Sequence, residues 1–95
     1  MLVIIRSSPD TPEGKRGVKI ARDMSADIVL LQNGVYFLQG EGLEDMGFAR
    51  TVYALEDDVR LRGLKTGNEK RNRKEIGYDG FIDLLTSSGN VTGMF

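Results

Sequence analysis

Chemistry in this 95-residue chain has to come from oxygen and nitrogen atoms, because the sequence contains neither cysteine nor histidine. A disulfide, a persulfide, a thiolate nucleophile, an imidazole base and a Cys/His zinc site are all excluded. Any metal would be oxygen-bound. Four groups of residues remain. Ser7, Ser8 and Thr11 form a hydroxyl-rich stretch between an apolar run and a helix start, which suits either a phosphate or other anion, or simple capping of the helix. Gln32-Asn33-Gly34 follows a second apolar run, and either lines a pocket or partner surface at a strand end or makes a turn. Glu56-Asp57-Asp58 either holds Mg²⁺ and moves protons, or supplies the negative charge that a helix start favours. Lys70, Arg71, Arg73 and Lys74 either meet nucleic-acid phosphate or an acidic partner, or form a solvated basic loop. Gly14-Lys15 lacks the earlier glycine and the following hydroxyl of a phosphate-binding loop, and Gly40, Gly42 and Gly47 miss the dinucleotide spacing.

These groups need a scaffold, and the composition bounds it. The length suits one domain spanning residues 1–95, and 40% hydrophobic with 28% charged residues is ordinary for a globular protein. No apolar run approaches the roughly 20 residues that a membrane helix requires. The apolar start, Met1 to Ile5, is interrupted by Arg6 too soon for a signal-peptide core, so a cytoplasmic location is expected. A net charge of −1 gives no overall field toward nucleic acid or acidic lipid. The charge is nevertheless locally bipolar. From Arg60 to Lys74 there are seven basic residues and one acid, and from Glu41 to Asp58 six acids and one base.

Leu2 to Ile5, Ile28 to Leu31 and Val52 to Leu55 are short apolar runs without strict alternation, as expected of strands buried on both faces of a parallel sheet. Between the first two, Asp10 or Thr11 as cap, Pro12 and Glu13 signal a helix. Gly17, Val18, Ile20, Ala21 and Met24 share one side of it, and Lys15, Arg16, Lys19, Arg22 and Asp23 the other. After the third strand a short helix through Leu61 closes at Gly63. Lys65 to Lys74 read as an exposed loop and Glu75 to Tyr78 as a weak fourth strand. Asp79 caps a last helix ending near Gly89, and Val91 to Phe95 offer an extended edge. The order predicts an α/β fold: a small three-layer α/β/α sandwich with a mainly parallel sheet of four to five strands. Val35 to Leu38 are four apolar residues where only one helical turn is available. Either at least one of them is exposed in a monomer, giving an apolar patch around Tyr36 and Phe37 suited to association, or all four pack in the core.

Four segments in chain order resemble the DsrH/TusB family of DsrE/DsrF/DsrH-like sulfur-relay proteins. They are Ile28-Val29-Leu30-Leu31-Gln32-Asn33-Gly34-Val35, Val52-Tyr53-Ala54-Leu55-Glu56-Asp57-Asp58, Arg62-Gly63-Leu64 and Tyr78-Asp79-Gly80-Phe81-Ile82-Asp83-Leu84. The resemblance implies a subunit of a relay passing sulfur toward 2-thiouridine at the tRNA wobble position, beside DsrE/TusD-like and DsrF/TusC-like partners. There a cysteine of the DsrE/TusD-type partner carries the persulfide. Some family members have a cysteine of their own, and this chain has none. A persulfide needs a thiol sulfur, which methionine cannot replace. The expectation is a non-catalytic subunit with no cofactor and no metal. Gln32, Asn33, Gly34, Tyr36, Phe37, Asp57 and Asp58 would be at its interfaces, and the basic loop is a possible tRNA contact. The alternative is a stand-alone homo-oligomeric domain binding a nucleotide or another anion at Ser7, Ser8 and Thr11. A third reading is a divalent-cation enzyme built on Glu56, Asp57 and Asp58.

Overall fold

The structure is a computed structural model and describes residues 1–39, 48–64, 73–89 and 91–95. Five strands make one sheet: β1 (Leu2–Ile5), β2 (Asp27–Leu30), β3 (Val52–Leu55), β4 (Arg73–Ile76) and β5 (Val91–Met94), in the spatial order β4-β3-β2-β1-β5. Every pairing is parallel, with Val3 beside Ile28 and Ile28 beside Val52. The connections carry α1 (Pro12–Met24), a 3₁₀ segment (Gln32–Leu38), α2 (Glu56–Leu61) and α3 (Tyr78–Ser87).

Topology decides which face each helix covers. From β1 to β4 successive strands step in one direction, so right-handed crossovers place their connections on one face. The return from β4 to β5 runs the other way and sends α3 to the opposite face. The core divides accordingly. On one side Val3, Ile5, Ile28, Leu30, Val52 and Ala54 pack with Val18 and Ala21 of α1, Val35, Phe37 and Leu38 of the 3₁₀ segment, and Val59 of α2. On the other, Leu2, Ile4, Val29 and Leu55 pack with Phe81 of α3, and Leu84 and Leu85 flank them. The three layers follow from that division. They also explain why the central strands read as continuous apolar runs: alternate side chains enter different cores, and each fully buried Ile or Val contributes about 1.5–3 kcal/mol.

Thr11 is the cap of α1. Its Oγ1 accepts from the Gly14 N–H at 3.1 Å, and Pro12 occupies the first turn. Met24, assigned by periodicity to the buried side, is exposed in the last turn. Gly63 follows α2 at φ +64, the left-handed conformation that ends a helix.

The carboxyl-terminal half departs from expectation in three places. The fourth strand is Arg73–Ile76 rather than Glu75 to Tyr78, because pairing with β3 sets Arg73 beside Val52 and Ile76 beside Leu55. Arg73 and Lys74 are therefore strand residues and not part of a loop, while Lys70 and Arg71 lie outside the described residues. Helix α3 begins at Tyr78 with Gly77 as its cap, so Asp79 sits in the first turn, where its charge meets the helix dipole instead of a cap N–H. The apolar patch is also corrected. Val35, Phe37 and Leu38 are all buried and only Tyr36 of the four is half-exposed. The tight 3₁₀ winding lets consecutive apolar side chains reach the core between β2, β3 and α2, so Phe37 offers no ring to a partner.

Candidate functional site

At the carboxyl end of β2 the backbone turns under several constraints. The Leu31 N–H donates to the Ile5 carbonyl at 2.9 Å, and the Gly34 N–H donates to the Leu31 carbonyl at 2.8 Å. Gly34 is fixed by space: a Cβ there would lie 2.1 Å from the Ile5 carbonyl oxygen. Gln32 adopts φ +48, a left-handed conformation costly for a residue with a side chain. Its N–H donates to Asp58 Oδ2 at 2.8 Å, a charge-assisted bond that offsets the strain.

Asp58 stands in the first turn of α2, and Arg62 follows one turn later. The Arg62 Nη1 lies 3.4 Å from Asp58 Oδ1 and 3.4 Å from the Asp58 carbonyl oxygen, while Nε donates to Asn33 Oδ1 at 3.1 Å. One guanidinium therefore ties the β2 turn to α2. Gln32, Asn33, Gly34 and Asp58 are brought together. Tyr36 is half-exposed on the same 3₁₀ segment, and Asp57 is exposed on α2. Arg62 was not among the residues singled out as site residues. Its sequence signals are its place in the Arg62-Gly63-Leu64 segment and the i,i+4 spacing from Asp58, while the contact with Asn33 spans 29 positions and has none.

The hydroxyl cluster after β1 is organised differently. Ser7 Oγ donates to the Phe95 carbonyl, Ser8 Oγ to Asp10 Oδ1 at 2.6 Å, and Thr11 Oγ1 to the Ser8 carbonyl at 2.7 Å. Each hydroxyl proton an anion would take is thus directed at a protein oxygen. A carboxylate also stands in the same loop. The Ser8 hydrogen bond, assisted by the Asp10 backbone N–H and by Lys15, holds the Asp10 carboxyl below its ordinary pKa. These contacts are those of a capped and braced loop.

Among the described residues, no three acidic side chains come together as a metal site. Asp58 of the acidic triplet is engaged by the Gln32 N–H and by Arg62. No helix among the described residues is long and apolar enough to cross a membrane.

A five-stranded, wholly parallel α/β/α sandwich with a pinned turn at the end of its second strand defines the class. The sequence profile of the family described as DsrH like protein matches residues 16–91, and the chain belongs to that family. It is thereby a sulfur-relay-related protein. Among solved structures, the crystal structure of the ychN protein from E. coli superposes with a TM-score of 0.78 at 12% sequence identity, covering 99% of this chain and 97% of that one. At that identity the likeness is one of fold. No curated protein sequence matches the chain.

Proposed function

We propose that this protein is a non-catalytic, partner-positioning subunit of a cytoplasmic sulfur relay that supports 2-thiolation of the tRNA wobble uridine. The observation that carries the reading is the absence of any cysteine in a member of the DsrH-like family. Without a thiol the chain cannot hold the persulfide, so it acts by holding a chain that can. DsrE/TusD-like and DsrF/TusC-like subunits are the expected partners. Gln32 and Asn33, exposed on the turn that the buried Gly34 anchors, with Tyr36 of the same segment and the exposed Asp57 of α2, are the expected contact. The Asp58–Arg62 pair presents that turn in one fixed shape, which lowers the ordering cost of docking.

The test is co-expression with DsrE- and DsrF-type proteins of the same organism, followed by affinity purification and by mass spectrometry of tRNA nucleosides from a strain lacking this gene. Stoichiometric co-purification and loss of 2-thiouridine are expected. Failure to co-purify together with undiminished thiolation defeats the reading. A sulfur adduct found covalently on this chain would defeat it equally.

A further inference from the structure

The turn at the end of β2 holds the chain's single Asn-Gly dipeptide, Asn33-Gly34; Asn68, Asn72 and Asn90 precede Glu69, Arg73 and Val91. An asparagine followed by glycine is open to attack on its own side chain, because glycine has no Cβ to shield the following backbone nitrogen. In that step the Gly34 nitrogen bonds to the Asn33 Cγ, the Cγ–Nδ2 bond breaks, and ammonia leaves with the Gly34 amide proton. The five-membered imide so formed takes up water and opens to an aspartyl or an isoaspartyl residue. Neither an oxidant nor a second protein is required.

The fold opposes each part of this chemistry. The Gly34 N–H donates to the Leu31 carbonyl at 2.8 Å, and Asn33 Oδ1 accepts from Arg62 Nε at 3.1 Å. Both residues lie in the 3₁₀ segment. Ring closure needs Cβ and the Gly34 nitrogen eclipsed about the Asn33 Cα–C bond, roughly 90° in ψ away from 3₁₀ backbone. Gly34 has no room to follow such a rotation, because it is seated so close to Ile5 that a Cβ would lie 2.1 Å from the carbonyl oxygen.

We propose that Asn33 is a spontaneous modification site that the fastened turn keeps silent, so that it becomes a carboxylate only in molecules whose β2 turn has opened. The product does not leave the turn as it was. It adds a negative charge to the guanidinium that Asp58 already engages, and the isoaspartyl form inserts a backbone carbon next to Gly34, where no space receives it. The chemistry needs this turn alone, so the inference stands apart from the sulfur-relay reading.

Peptide mapping by mass spectrometry tests it, on the full chain incubated in mildly alkaline buffer with and without guanidinium chloride. In the unfolded chain, residue 33 should show the mass gain of amide-to-acid conversion ahead of the three other asparagines. In the folded chain it should convert at least roughly tenfold more slowly, as expected where two hydrogen bonds must open first. Equal rates in the folded and unfolded chain overturn the proposal, and so does an unfolded chain in which residue 33 stays unchanged. Arg62→Ala, shown to be folded by circular dichroism, should raise the rate in the folded chain. A folded variant that converts at the wild-type rate refutes the restraint assigned to the fastened turn.

Discussion

Replacing Gly34 by alanine tests the site at its tightest point. The new Cβ would stand 2.1 Å from the Ile5 carbonyl oxygen and 2.8 Å from its carbon. An ordinary carbon–oxygen contact is about 3.3 Å, so backbone must retreat by roughly 1.2 Å. The retreating carbonyl is the one that accepts the Leu31 N–H at 2.9 Å, and the shift breaks that bond. A lost hydrogen bond of about 1 kcal/mol and overpacking of about 1–3 kcal/mol give a destabilisation of about 2–4 kcal/mol. For a domain of this length that lowers Tm by roughly 10–25 °C. Thermal unfolding followed by circular dichroism, with a urea titration to check that the slope m is unchanged, measures it. A Gly34→Ala protein melting within about 4 °C of the wild type would show that the turn yields freely, and the account of a rigidly presented β2 end would be wrong.

Other perturbations probe the neighbouring contacts. Gly63→Ala meets no atom within 4 Å but must hold φ +64, so backbone strain alone should cost about 1 kcal/mol, clearly less than Gly34→Ala. Arg62→Lys removes the Nε–H that bonds Asn33, and a double-mutant cycle with Asn33→Ala should give a coupling of about 0.5–1 kcal/mol; additive single changes would mean the two side chains do not cooperate. Ser8→Ala should raise the Asp10 carboxyl midpoint toward the ordinary carboxylate value, measured by NMR titration, because the Ser8 hydroxyl is the largest cause of its depression. The sign for stability follows: a depressed carboxyl contributes above its unfolded pKa and loses that contribution as pH falls through its folded pKa. The variant should therefore show a shallower acid loss, and an unmoved midpoint would assign the depression to Lys15 and the backbone instead.

What the residues disclosed depends on where each element gets its stability. Strands β1, β2 and β3 are legible because burial on both faces writes them as unbroken apolar runs. β4 is not, because Arg-Lys-Glu-Ile at the sheet edge is held by its ladder to β3 and shows no apolar face. Periodicity also misjudged Val35 to Leu38: it reckoned with α-helical faces, whereas the 3₁₀ segment buries neighbours in sequence. The turn residues of the site could be named from Asn-Gly chemistry, but their fastening could not. Asp58 and Arg62 reach the turn only because parallel pairing of β2 and β3 brings the start of α2 beside the end of β2.

The same topology marks a second place where an anion could bind, apart from the Ser7, Ser8 and Thr11 loop after β1. In an open α/β sheet, ligands favour the carboxyl-end crevice where neighbouring connections leave toward opposite faces. Here that crevice lies between β3, which continues into α2 on one face, and β4, which continues into α3 on the other. Two helix amino ends open there, an arrangement that would attract phosphate if left unanswered. It is answered within the chain. Glu56, Asp57 and Asp58 occupy the first turn of α2, Asp79 that of α3, and a Cβ at Gly77 would lie 3.4 Å from a Glu56 carboxylate oxygen. The first turns of both helices therefore carry negative side chains, which disfavour an anion there.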